Sequence, residues 1–220
     1  MSDRHASPPA RRIGVLGGTF DPVHVGHLII AQEVAHRLHL TDVLFIPARV
    51  SPFKREADAA PAEDRAAMLE LALAEEPRFR LSRVDLERPA PSYTVDTLRV
   101  LRDCLGADVE LSFILGADAL ATFAEWRAPE EILRMARLAC VTRPGTPLDL
   151  AAVRTALPSI EGRVDLVESI SVGISSTDVR QRVAEGAPIR FHVPSPVERY
   201  IRLRGLYRSP YDSSQRRPCS

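Results

Sequence analysis

Short apolar segments alternate with segments of helical periodicity along most of the chain, and this alternation constrains the fold more than any other feature. Segments 13–17 and 43–46 have the length and composition of buried strands, and residues 28–38 between them carry apolar side chains at helical spacing. The later strand-like segments are 79–86, 111–115, 138–141 and 164–167, and the later helical ones are 63–75, 93–104, 179–183 and 197–203. This order predicts an α/β fold in which helices cover both faces of a parallel sheet. We expect one doubly wound domain, because no repeat, low-complexity tract or clear linker divides the sequence.

The two ends differ in composition from the centre of the chain. Residues 1–12 are polar and basic, and they lack the apolar segment and small-residue cleavage site of a signal peptide. Residues 208–220 are polar and contain proline. We expect a disordered lead-in at 1–12, a folded domain at 13–207 and a disordered tail at 208–220.

Composition argues against several classes of protein. The 29 basic side chains balance 29 acidic ones, whereas a general nucleic-acid binder needs a positive field to hold phosphates. The apolar segments are far shorter than the roughly 18 residues that a membrane span requires. The three cysteines show no C-x-x-C spacing, which favours a reducing, cytoplasmic setting over a zinc ribbon or a disulfide framework.

The segment after the first strand has the features of an anion-binding loop. Residues 17–27 read GGTFDPVHVGH, so two adjacent glycines let the backbone approach a phosphate, and a helix begins behind them. His24 and His27 are three residues apart, which makes them neighbours on the first helical turn. We expect both to meet the anion that the loop holds. Two alternatives are ordinary helix histidines and a metal site formed by Asp21 with the histidine pair.

A second segment, ISSTDVR at 174–180, has related chemistry at another helix start. Ser175 and Asp178 have the spacing of a capping box, and Arg180 follows one turn later. Hydroxyls, free N–H groups and a guanidinium together suit an anion, although a plain helix cap is the alternative. Beside the first loop, this segment favours a cradle for a triphosphate.

The chain contains a single lysine, Lys54, which closes the segment PARVSPFK after the second strand. Every other basic residue except histidine is an arginine. Lys54 is therefore either present by chance or kept because a compact ammonium group is needed at this position.

These segments resemble the motifs of the nucleotidylyltransferase superfamily, in the form found in bacterial nicotinate-nucleotide adenylyltransferases. Residues 17–27 resemble the superfamily signature, and residues 174–180 resemble its ISSTxxR motif. Residues 92–98, SYTVDTL, and 116–120, GADAL, match the SYTxxTL and GxDxL patterns of the subfamily. The resemblance runs from 13 to 207 with all motifs in order.

The resemblance implies a Rossmann-like fold and a transfer of AMP from ATP to nicotinate mononucleotide. The products would be deamido-NAD and pyrophosphate, formed in NAD biosynthesis by direct in-line attack without a covalent intermediate. No general base is needed, because the attacking phosphate is largely dianionic at neutral pH. Mg²⁺ would arrive with ATP, and no metal would be held by a dedicated set of protein ligands. The expected partners are therefore small molecules, not nucleic acid or membrane, and self-association into a homo-oligomer is left open.

The resemblance also implies roles for individual side chains. Catalysis would fall to His24, His27, Lys54 and Arg180. ATP would contact Gly17, Gly18, Thr19, Phe20, Asp118, Ser175, Ser176 and Thr177. The mononucleotide would contact Tyr93, Thr94, Trp126 and Arg143.

Other interpretations of these residues stay open at this stage. Thr94 suits a helix cap, Trp126 suits the core, and Arg143 suits a solvated loop. Phe53 stands where the family commonly has a histidine, and this departs from the pattern.

Other functions stay open as well. The acceptor could be the amidated mononucleotide or phosphopantetheine, and the chain could be a nucleotide-binding sensor without catalysis.

Overall fold

The computed structural model describes residues 11–49, 59–142, 148–170 and 172–208. Within them, six parallel strands form one sheet. They are β1 (Arg12–Gly18), β2 (Asp42–Pro47), β3 (Phe79–Leu81), β4 (Glu110–Gly116), β5 (Arg137–Thr142) and β6 (Val164–Glu168). Their spatial order is β3-β2-β1-β4-β5-β6, and each neighbouring pair is parallel. The strand order reverses between β1 and β4, which is the switch point where doubly wound sheets bind ligands.

Helices lie between successive strands, and two more follow β6. They are α1 (Val25–Arg37), α2 (Ala62–Leu73), α3 (Thr94–Leu105), α4 (Ala117–Ala121), α5 (Pro129–Met135), α6 (Leu150–Ala156), α7 (Ser176–Ala184) and α8 (Ser195–Arg204), with single 3-10 turns at Phe123–Glu125 and Pro158–Ile160. None of the helices in the described ranges is both long enough and apolar enough to span a membrane. The predicted single doubly wound α/β sheet is confirmed.

Side chains alternate across β1 and so supply two hydrophobic cores. Ile13 and Val15 point to the core that α3 and α5 cover, whereas Leu16 joins the core beneath α1, α2, α7 and α8. Gly14 lies between these cores with no room for a side chain, because a Cβ there would come within 2.8 Å of Leu40 Cδ1. The sheet therefore has both faces covered, and its carboxyl edge remains as the place for a site.

The predicted elements differ from the observed ones in two respects. The segment 79–86 was expected to be one strand, but the last sheet hydrogen bond is donated by the Ser82 amide to the Phe45 carbonyl, and residues 83–86 then form a turn. Helices α4, α5 and α6 were not predicted, because five to seven residues are too few to display a helical period.

Candidate functional site

The loop between β1 and α1 is fixed by a buried aromatic ring. Phe20 is only 2% exposed, and its ring packs against Phe45 and edge-on against His27, 5.0 Å from ring centre to ring centre. A Cβ on Gly18 would come within 3.2 Å of this ring, which explains the glycine. The side chain of Phe20 lies in the core, and the expected contact of this residue with ATP stays a prediction.

His24 and His27 lie together at the start of α1. His24 is the N-cap residue, and the two imidazoles stack with their centres 3.7 Å apart. Gly26 lies beneath the His24 ring, where a Cβ would come within 3.0 Å of Nδ1. The glycine between the histidines therefore makes room for the first imidazole.

The hydrogen bonding of His27 defines which of its nitrogens can donate. The amide of His24 donates to His27 Nδ1 at 3.2 Å, so the proton of the neutral ring must lie on Nε2. Burial and, to a smaller extent, the neighbouring His24 together lower the pKa of His27 to about 3. At neutral pH this side chain is an uncharged donor through Nε2–H.

Two cavities open side by side at the carboxyl edge of the sheet. The first measures about 540 Å³ and the second about 550 Å³. Both are lined by Gly17 at the end of β1, by Phe113 on β4 and by Trp126. They therefore form neighbouring compartments at the switch point, separated by shared wall residues.

Several of the sequence-predicted residues line these compartments. The first cavity is lined by Tyr93, Thr94 and Trp126, which were expected to bind the mononucleotide. It is also lined by three residues expected to bind ATP, namely Gly17, Gly18 and Thr19. The second is lined by residues 116–119, which include Asp118. Residues from three separate motifs thus meet at one edge.

Trp126 is partly exposed and not enclosed in the core. Its ring packs edge-on against Phe113 at 5.9 Å and against Phe123 at 5.3 Å. Arg127 beside it lies over the Tyr93 ring, with its guanidinium carbon 4.7 Å from the ring centre. The indole is therefore held by aromatic contacts at the cavity wall.

The second anion-binding segment contacts the first directly. Ser176 Oγ donates to the Pro22 carbonyl at 2.9 Å, and Arg180 Nη1 donates to the Asp21 carbonyl at 2.7 Å. Thr177 Oγ1 accepts a longer bond from Arg180. Two segments about 150 residues apart in sequence are thereby joined at the start of α1 and α7.

The expected capping box at α7 is confirmed. The Asp178 amide donates to Ser175 Oγ at 3.1 Å, and the Ser175 amide and hydroxyl both donate to Asp178 Oδ2. The Ser175 hydroxyl and the Asp178 amide are therefore engaged by the cap, whereas the Ser176 and Thr177 amides come too early in α7 for an intrahelical bond and remain suited to an anion.

A buried polar network behind the phosphate loop was not predicted. Asp21 is 3% exposed, and its Oδ1 accepts hydrogen bonds from the Ala60 amide at 3.1 Å and the Tyr207 hydroxyl at 2.7 Å. Its Oδ2 lies 3.6 Å from Arg180 Nη1. Arg65, almost completely buried in α2, lies beside it. A charged residue in a helix is expected on its solvent face, so no signal in the sequence indicated that Arg65 would be buried.

Three residues that the sequence singled out fall outside the described ranges. They are Phe53, Lys54 and Arg143. Among the residues that the structure describes, no group of three or more His, Cys, Asp or Glu side chains could hold a metal ion. Asp21 with the histidine pair therefore does not form the metal set considered from the sequence.

Comparison with known proteins places this geometry in a family. Residues 15–182 match the profile of the cytidylyltransferase-like family. The chain is 50% identical over 201 residues to a protein of Acidothermus cellulolyticus named "probable nicotinate-nucleotide adenylyltransferase", and the match covers 90% of this chain and 94% of that protein. A protein of Streptomyces coelicolor with the same name is 48% identical, over 88% of this chain and 99% of its own.

The fold is also similar to that of a solved structure. Nicotinic acid mononucleotide adenylyltransferase of Plasmodium falciparum, in a complex with NaAD, superposes with a TM-score of 0.71 at 18% identity, over 90% of this chain and 97% of that one. At this identity the likeness concerns the fold alone. The sequence matches and the shared fold together show that the chain belongs to the cytidylyltransferase-like family, among the nicotinate-nucleotide adenylyltransferases.

Proposed function

We propose that this protein transfers AMP from ATP to nicotinate mononucleotide, forming deamido-NAD and pyrophosphate as a step of NAD biosynthesis. The observation that carries the proposal is the pair of cavities that share Gly17, Phe113 and Trp126 at the switch point. A dinucleotide has two nucleotide halves joined at their phosphates, and two adjoining compartments beside a phosphate loop suit it. The names of the relatives and the NaAD complex of the Plasmodium protein support the same reaction.

Each substrate has a compartment that fits its chemistry. The pyridine ring of the mononucleotide suits the first cavity, where Trp126 and Tyr93 offer flat aromatic surface. The adenosine half of ATP suits the second cavity, where Asp118 can accept hydrogen bonds from ribose hydroxyls. The triphosphate would then lie over the glycines of the loop and the first turns of α1 and α7.

The transfer is a displacement at the α-phosphorus of ATP. An oxygen of the mononucleotide phosphate forms the new P–O bond, and the bond from the α-phosphorus to the pyrophosphate oxygen breaks. The nucleophile needs no base because it is already largely dianionic. Positioning and stabilisation of charge therefore carry the catalysis.

His27 suits the stabilising role. Its Nδ1 is engaged by the His24 amide, which leaves Nε2–H as a fixed, neutral donor for a non-bridging phosphate oxygen. We assign His24 to the same phosphates. A donor with this tautomer takes part in no proton transfer, which agrees with a reaction that moves no proton.

The remaining charge of the triphosphate falls to cations. Arg180 is oriented by the Asp21 carbonyl, and with Lys54 it is assigned to the β- and γ-phosphates, helped by Ser176 and Thr177. Mg²⁺ is part of the ATP substrate in this scheme and is held by phosphates and water.

Pyrophosphate release tests the proposal. The protein is given Mg²⁺ and ATP with nicotinate mononucleotide, its amide or phosphopantetheine in parallel reactions. Turnover that is fastest with the acid is the expected result. Faster turnover with the amide or with phosphopantetheine would identify that molecule as the acceptor in place of nicotinate mononucleotide. If ATP binds but none of the three acceptors yields pyrophosphate, the protein would be a sensor.

A further inference from the structure

Arg65 has hydrogen-bond partners that the proposed chemistry does not explain. It lies in α2, is 2% exposed, and is among the largest fully buried side chains in the described part of the chain. Its guanidinium donates to four main-chain carbonyls, from Nε to Ala60 at 3.1 Å, from Nη1 to Thr19 at 2.7 Å and Ala48 at 2.8 Å, and from Nη2 to Arg49 at 3.0 Å. One side chain thereby ties together three separate backbone segments.

This arrangement needs the shape of an arginine. The planar guanidinium has N–H groups that point in several fixed directions, whereas the lysine ammonium is a compact point with three donors. Burying a cation costs free energy unless it is hydrogen-bonded. Burial lowers the pKa of Arg65, and the nearby charge of Asp21 opposes that effect.

Two of the four tethered carbonyls belong to residues in the wall of the first cavity. Thr19 follows β1, and Ala48 follows β2; both line the cavity that also contains Tyr93 and Trp126. The Ala48 amide in turn donates to the Gly18 carbonyl at 2.9 Å. The guanidinium adds a side-chain link between the Thr19 and Ala48 carbonyls, just beyond the point where β1 and β2 stop pairing.

We propose that Arg65 is a positioning residue for the adenylyl transfer, one that holds the Thr19 and Ala48 carbonyls in place beyond the ends of β1 and β2 and so shapes the mononucleotide compartment. The inference rests on the proposed function. In this proposal Arg65 touches neither substrate and acts through Thr19 and Ala48.

The test compares R65K with wild type and with a matched control on the same helix. In the control, Y200F, a hydroxyl that donates to Asp64 Oδ1 at 2.7 Å is removed. This bond joins α8 to α2 at the residue before Arg65, and neither partner lines either of the two cavities described above. All measurements are made well below the thermal transition of each variant.

We expect R65K to lose turnover and mononucleotide affinity, since displacement of about 1 Å at a binding wall can cost about 100-fold in rate. KM for the mononucleotide rises and kcat falls. KM for ATP rises less, because Thr19 is the one tethered residue that is assigned to ATP. Y200F keeps wild-type kinetics. Trp126, the only tryptophan, gives an independent readout, because its fluorescence titrates mononucleotide binding without turnover.

Three results would overturn the proposal. One is a folded R65K with wild-type kcat and mononucleotide affinity. Another is an equal loss in R65K and Y200F, which would assign Arg65 to general stability. The third is failure of both R65K and a second variant, R65Q, to fold, which would assign it to the fold as a whole. If wild type itself does not turn over, the proposed function fails separately, and the fluorescence titration still decides the role of Arg65.

Discussion

His27 presents an uncharged donor at a site assigned to a polyanion, and its contacts explain why. A charged imidazole would have to be desolvated at the start of α1, beside a second histidine. The bond from the His24 amide fixes the orientation of the ring and leaves one nitrogen for a ligand. Such a donor is preorganised, and preorganised donors contribute most where charge develops in a transition state.

Replacing His27 by alanine should lower kcat about 100-fold or more, the scale of losing one oxyanion-type donor, with a smaller effect on ATP affinity. Steady-state kinetics of pyrophosphate release measure this. His36, an exposed histidine later on the same helix, is the control, and H36A should keep wild-type kinetics. Near-normal kcat in H27A would remove the residue from the catalytic set.

The lowered pKa of His27 also predicts how stability depends on pH. Between its folded value of about 3 and the ordinary value of 6.5, the unfolded chain binds a proton that the folded chain does not. The free energy of unfolding should therefore be fully retained above pH 6.5 and should fall as pH drops, by about 1–2 kcal/mol at about pH 5.

Urea unfolding at about pH 7.5 and about pH 5 measures this contribution. H27Q, which cannot titrate, should lose less stability than wild type between the two conditions. An equal loss in both proteins would show that other groups account for the pH dependence.

At the scale of elements, the helix starts are the places where the sequence was most informative. The capping box at α7 was predicted from Ser175 and Asp178, because its chemistry is local and depends on spacing alone. The loop before α1 and the helix start behind it were also predicted from the sequence. The turn after β3 could not be predicted from the sequence. Asp85 and Leu86 are buried although they lie beyond the sheet, and burial by distant elements leaves no local signal.

Substituting Ser175 by alanine should cost about 1 kcal/mol of stability, the usual effect of losing an N-cap. Chemical denaturation measures the loss. T177A provides the comparison, since Thr177 Oγ1 makes only a long contact with Arg180 and does not cap the helix. If both variants lose the same stability, the cap is not the cause.

At the scale of the molecule, the parallel sheet with both faces covered followed from the alternation of strands and helices, and so did the placement of the motifs at strand ends. The buried network of Asp21, Arg65 and Tyr207 did not, because it depends on which side chains fill the space behind the loop. Asp21 was considered only as a metal ligand, whereas the structure uses its carboxylate to receive the Ala60 amide and the Tyr207 hydroxyl.

The contact between Tyr207 and Asp21 predicts how much of the carboxyl terminus the fold needs. A chain that ends at Arg208 should keep wild-type stability and turnover. A chain that ends at Leu206 loses the tyrosine and its bond to a buried carboxylate, which should cost about 1–3 kcal/mol. Thermal unfolding compares the two.

Both shortened chains lack residues 209–220, so any difference in their stability is due to Tyr207 and Arg208. Y207F then separates the hydroxyl from the ring. Equal stability of the two shortened chains would show that this contact contributes little.

The wall that the two cavities share has a consequence for ligands that are covalently joined. A molecule that fills both compartments gives up its translational and rotational freedom once, whereas two separate nucleotides each pay that cost. The dinucleotide product should therefore compete for the free protein more strongly than either mononucleotide half. Net synthesis would then depend on a following reaction that removes the dinucleotide, and stable two-headed analogues that reach past Gly17 and Trp126 should be tighter inhibitors than analogues of one half.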